Sequence, residues 1–130
     1  MRGRMRYKTV PLLGFVLLVM VTAACSLSPA ETAFNRGRDY SEQGDHENAI
    51  EAYDEAIRLN PQSAKAYNNR GIAYGELSQY ERAIEDFDEA IRLNPQEPGA
   101  YFNRGIAYRL LGQQELADRD FAKAKELGVE

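Results

Sequence analysis

Few side chains in this 130-residue chain could do chemistry, and they are scattered. Its only cysteine is Cys25 and its only histidine is His46, so no histidine–cysteine cluster can hold a structural zinc. No glycine-rich phosphate loop is present. Carboxylate runs such as Asp86-Phe87-Asp88-Glu89 straddle different faces of a helix, which suits a solvated surface better than an acid–base pair. No catalytic residue, metal ligand or cofactor site is therefore assigned. His46 reads as a packing or surface residue. What does recur is cationic: Arg36, Arg70 and Arg104 follow one another every 34 residues. Asp86 and Asp120 stand sixteen residues after Arg70 and Arg104, whereas Arg36 has Ala52 at that offset. An internal ion pair, with the arginine stem packed on aromatic neighbours, is the favoured reading. A row of cations holding an anionic ligand is the alternative.

The arginines belong to a longer repeated stretch. Ala66-Tyr67-Asn68-Asn69-Arg70-Gly71-Ile72-Ala73-Tyr74 returns as Ala100-Tyr101-Phe102-Asn103-Arg104-Gly105-Ile106-Ala107-Tyr108. A weaker copy begins at Ala33-Phe34-Asn35-Arg36-Gly37. A fixed period of this length marks a repeat architecture, in which each unit is one supersecondary element.

The local signals are helical throughout, and no segment alternates with period two over a strand's length. Ser28-Pro29-Ala30-Glu31 combines a cap, a proline suited to the first helical position and the far member of a capping box. That helix runs to about Gln43, where Gly44-Asp45 breaks it and Asp45 caps the next. Ala49, Ile50, Tyr53, Ala56 and Ile57 follow at helical spacing, and Asn60-Pro61 ends the run. Ser63 caps a third helix, to about Leu77. Ser78-Gln79-Tyr80-Glu81 reads as a second capping box, and Asn94-Pro95 closes the helix it opens. Pro98 fits the first turn of a fifth helix, Gly112 breaks it, and a sixth runs to Leu127 with Gly128 as its C-terminal glycine.

The repeated small residues need a reason. Gly37, Gly71 and Gly105 fall inside helices, where glycine costs about 1 kcal/mol against alanine. Close approach of a partner helix is that reason, with Ala49, Ala83 and Ala117 expected opposite. Tyr40, Tyr74 and Tyr108, with Tyr53, Phe87 and Phe121, supply bulk around the contact. Ala56, Ala90 and Ala124 are small again, and Leu59, Leu93 and Leu127 are expected to seal each hairpin.

This pattern of glycine, tyrosine, alanine, aromatic, alanine and proline resembles the tetratricopeptide repeat over residues 30–130. The early tryptophan of that family is Ala33, Tyr67 and Tyr101 here, and its leucine before the glycine is arginine in all three copies. The resemblance implies an all-α fold: three helix-turn-helix hairpins, at 30–63, 64–97 and 98–130, stacked as a short right-handed α-solenoid. It also implies a concave groove lined by the first helix of each hairpin. The groove residues it points to are Phe34, Arg38, Asn68, Ile72, Phe102, Ile106 and Arg109. Aromatic anchors with polar flanks suit a protein or peptide ligand. Family members that clamp a chaperone's C-terminal carboxylate use lysine, arginine and asparagine. Here the corresponding positions carry Phe34, Arg38, Ile72, Phe102 and Ile106, with one cation among them, which argues against that ligand. In the last repeat, Asp118 and Lys125 replace the Ile50/Ile84 and Ile57/Ile91 of the earlier copies, as expected of a capped end that completes the stack.

The first 24 residues read as an address. Arg2, Arg4, Arg6 and Lys8 precede an apolar run from Val10 that reaches Ala23-Ala24-Cys25. The run is as long as a signal-peptide core and short for a bilayer crossing. Val21-Thr22-Ala23-Ala24-Cys25 resembles the lipobox of bacterial lipoproteins, with Thr22 in place of the usual leucine. The resemblance implies a cleavable signal at 1–24, lipid on Cys25, and a short tether at 25–29. With Ser26 after the cysteine, it implies the outer membrane facing the periplasm in a Gram-negative cell, and otherwise the outer face of the plasma membrane.

Removing the leader's four cations from the 16 basic residues leaves 12, against all 20 acidic ones, a formal balance of −8 for residues 25–130. Such a domain is a poor match for nucleic acid, whose phosphates need a basic patch. The expected function is a non-catalytic interaction module on a bacterial envelope membrane. It would recruit partners for envelope assembly, pilus biogenesis, secretion or cell-wall processes. A structural subunit or homo-oligomerising component of an envelope complex is the alternative.

Overall fold

The computed structural model describes residues 26–128. The expected signal segment at 1–24 and Cys25 lie outside them. Six helices follow in order: α1 (Pro29–Glu42), α2 (His46–Leu59), α3 (Ala64–Glu76), α4 (Tyr80–Leu93), α5 (Pro98–Leu110) and α6 (Gln114–Glu126). Consecutive pairs form three antiparallel hairpins, and each hairpin packs on the next. Helices α1, α3 and α5 also touch across neighbouring repeats, whereas α2 and α4 do not touch. The stack is therefore tighter on the α1/α3/α5 side, and that side is concave.

Most of the expected caps are made. The Ser28 hydroxyl accepts from the Glu31 amide at 3.2 Å, and the Glu31 carboxylate accepts from the Ser28 amide at 2.8 Å. Asp45 caps α2 through the Asn48 amide, and Ser63 caps α3 through the Ala66 amide. The second capping box is not made. Gln79 occupies the N-cap position of α4 without a side-chain bond, and Ser78 lies one residue earlier at φ +58°. The turn explains the difference. Gly44 and Gly112 hold the same phase in the other hairpins at φ +76°, so the chain turns left-handed there, and a capping serine needs extended backbone.

Close approach at the three helical glycines is real, but what approaches is an aromatic ring. A Cβ built on Gly71 would lie 2.7 Å from Cε1 of Phe87. The same construction meets Tyr53 at Gly37 and Phe121 at Gly105. Ala49 and Ala83 pack beside those rings: Ala49 with Tyr53 and Ala73, and Ala83 with Phe87 and Ala107. The small residues thus lie at the joint between one hairpin and the next, where Ala73 and Ala107 enter from the following repeat. Ala33, Ala56 and Ala66 form a further such joint. Leu93 and Leu127 are half-buried, but Leu59 is 40% exposed and closes nothing.

Candidate peptide-binding groove

The arginines are structural anchors in repeats 2 and 3. Arg70 donates from Nε and Nη2 to both Asp86 oxygens, at 2.8 and 2.6 Å. It also reaches Asp54 of the preceding hairpin from Nη1, at 2.6 Å. Arg104 repeats the arrangement with Asp120 in its own hairpin and Asp88 in the one before. Each guanidinium lies near two tyrosine rings, Tyr67 and Tyr74 for Arg70, Tyr101 and Tyr108 for Arg104. The expected pairs to Asp86 and Asp120 are therefore made. The links to Asp54 and Asp88 go beyond expectation, because they tie successive repeats together. The bidentate contact pushes the Arg70 pKa up, keeping it charged, while burial pushes the Asp86 carboxyl up against the opposing pull of Arg70.

On the concave side, the seven expected groove residues divide. Ile72 and Ile106 line one depression of about 370 Å³ between α3 and α5, together with Asn103 and Leu110. Ile72 and Phe102 are 40% and 41% exposed. Phe102 leans on Phe121 with ring centroids 5.6 Å apart, and the Arg109 guanidinium lies over that same Phe121 ring at 5.2 Å. Phe34 is half-buried against Tyr53 and borders a separate depression near the start of α1. Asn68 accepts a hydrogen bond from Asn103 at 3.2 Å, linking α3 to α5, so part of its polar capacity is spent on the scaffold. Arg38 is exposed and pairs with Glu42 at 3.7 Å. The structure thus joins Ile72 to Ile106, and Phe102 to Arg109 through Phe121. Phe34 and Arg38 stand apart on α1.

Leu110, Glu76 and Ser78 also line the Ile72–Ile106 depression and escaped the sequence reading. Leu110 carried a usable signal: it is apolar where the earlier copies have Glu42 and Glu76, and it is 56% exposed. His46 opens α2, and no group of three or more acidic, histidine or cysteine side chains suited to a metal occurs among the described residues.

An array of two-helix units joined by small-residue contacts and inter-repeat ion pairs defines a helical-repeat protein. Family models place it more narrowly. One described as TPR repeat matches residues 37–78, and two described as tetratricopeptide repeat match 64–97 and 87–119. The chain belongs to the tetratricopeptide repeat family. Among solved structures it is similar to the second TPR of Spaghetti (RPAP3) bound to the HSP90 peptide SRMEEVD. That likeness has 32% identity and a TM-score of 0.75, over 77% of this chain and 93% of that one. The Arabidopsis OM64 TPR domain is similar at 30% identity and a TM-score of 0.76, covering 77% of this chain and 83% of that chain. The TPR2B domain of yeast Sti1, in its complex with pHsp70, is similar at 30% identity and a TM-score of 0.75, covering 76% and 79% of the two chains. No curated protein matches the sequence.

Proposed function

We propose that the chain is a non-catalytic adaptor that binds a polypeptide segment on its concave side. The observation that carries this is the apolar strip of exposed Ile72, Phe102 and Leu110 with half-buried Ile106, spread over two repeats and flanked by polar groups. Such a strip suits apolar side chains of an extended or helical segment. Two of the similar domains are seen with chaperone partners, which supports peptide recognition as the mode. The ligand here is expected to differ from an acidic chaperone tail, because the concave side offers isoleucine and phenylalanine where such a tail needs cations. Replacing Ile72 and Ile106 together by aspartate tests the reading. Both side chains are partly exposed, so helicity and Tm should hold while partner binding is lost. Retained binding would sink it.

The proposal extends to location. The lipobox-like run ending at Cys25 supports lipid anchoring on a bacterial envelope membrane, and α1 starts only four residues later. The adaptor would then work close to the bilayer, recruiting partners for envelope assembly, pilus biogenesis, secretion or cell-wall processes. Multiple acyl chains give firm anchoring, since each buried methylene contributes about 0.8 kcal/mol. Metabolic labelling with an alkyne fatty acid should mark the wild type and leave Cys25→Ala unmarked. Equal labelling of both rules the anchor out.

A further inference from the structure

Repeat 1 breaks the arginine rule in three ways at once. Ala52 stands where Asp86 and Asp120 grip the inner arginines, and Ala33 stands where Tyr67 and Tyr101 wall them. No preceding carboxylate reaches Arg36 among the described residues. Arg36 is accordingly exposed, whereas the side chains of Arg70 and Arg104 are each 19% exposed. Cutting a carboxylate and a ring back to alanine leaves space, and the space is there. A cavity of about 630 Å³ is lined by Ala33, Arg36, Tyr40 and Ala52, with Leu27 and Leu59 at its border. It contains none of the seven concave-side residues.

We propose that this cavity is a second binding site, which takes an acidic side chain next to an aromatic one from a partner polypeptide. Repeats 2 and 3 show what fills the equivalent space: a carboxylate bonded to the guanidinium through Nε and Nη2, and a tyrosine ring beside it. Arg36 supplies the same donors with the internal acceptor deleted. Of the carboxylates lining the cavity, Glu55 is held by Arg58 through two hydrogen bonds, at 2.8 and 2.6 Å, which leaves Glu51 as the acid without an ion pair among the described residues. Asp39, on the same helix, is exposed where Ala73 and Ala107 are buried against a preceding repeat. A whole further repeat in register would bury that charge, so the ligand is a short segment and not a continued stack.

The test uses the full-length chain in detergent, labelled with ¹⁵N-arginine, and a capped Ala-Asp-Tyr-Ala peptide as the probe. The Arg36 Nε–H signal should shift saturably with this peptide. The asparagine analogue should bind about tenfold more weakly or worse, as expected for losing a hydrogen bond to a charged group. Arg36→Gln, a change at an exposed side chain, should abolish binding as followed by the peptide's own tyrosine ring-proton signals. Ala52→Asp, which places a carboxylate where Asp86 and Asp120 stand in the other repeats, should occupy Arg36 internally and remove binding. Equal shifts with the asparagine peptide, or binding that survives Arg36→Gln, would overturn the proposal. So would a shift that grows with protein concentration alone, which would make a second copy the occupant.

Discussion

Ser78 is the residue whose conformation conflicts most with its chemistry. It occupies a left-handed turn that glycine serves in the other two hairpins, and a side chain there costs about 1–2 kcal/mol in backbone sterics. Ser78→Gly should therefore raise stability by about 0.5–1 kcal/mol, after the extra entropy glycine loses on folding is subtracted. Urea unfolding followed by circular dichroism would show this; an unchanged midpoint would contradict it. Gly71 makes the opposite case. Adding a methyl would drive Cβ to 2.7 Å from the Phe87 ring, so Gly71→Ala should destabilise by about 1–3 kcal/mol despite the better helix propensity of alanine. At Glu31 the sign concerns pH. Hydrogen bonds from Ser28 hold its carboxyl below the ordinary value. The cap's contribution is thus complete above that ordinary value and is lost as pH falls through the lowered one. Protection of the Ser28 amide from hydrogen exchange should fall off in acid, as pH drops below the ordinary carboxylate range. Glu31→Gln should remove the pH dependence while keeping the cap.

Helices are joined here by charge as well as by alanine. Arg70 binds α4 through Asp86 and α2 through Asp54, so one side chain fixes three helices. Arg70→Leu would leave Asp86 buried without its partner and should cost about 3 kcal/mol. Replacing Asp86 by leucine as well should restore much of that loss, because the uncompensated charge goes with it. Much of this was legible in the sequence. The 34-residue period, the caps at Ser28, Asp45 and Ser63, and the pairing of Arg70 with Asp86 were all visible. The link to Asp54 was missed because it runs between repeats, although it lies sixteen residues before Arg70 as Asp86 lies sixteen after. The serine cap at 78 was misread because Ser-x-x-Glu looks the same whether the serine backbone is extended or left-handed. Only the glycines at the same phase in the other copies distinguish the two.

Across the whole molecule, the three repeats differ in what they present. Repeats 2 and 3 share the apolar strip, and repeat 1 carries the open arginine cavity. Ile72, Ile106 and Phe102 were named for the concave side by family resemblance and not by helical phase, and that resemblance does not reveal that Asn68 is partly committed to Asn103 across the repeat joint. At the far end, Asp118 and Lys125 of α6 are exposed where the earlier copies carry half-buried Ile50, Ile84, Ile57 and Ile91. Converting both to isoleucine should create an apolar face and drive self-association, seen as sedimentation that depends on concentration more steeply than the wild type's.

Recognition by the concave side is tested most directly by photocrosslinking in intact cells. A photoreactive amino acid at Ile72, Phe102 or Ile106 should capture one and the same protein, while the same probe at Glu85, exposed on α4, should not. Capture should disappear when the remaining apolar residues of the strip are made acidic. Equal capture from Glu85, or no capture from the three strip positions, would contradict a concave binding site.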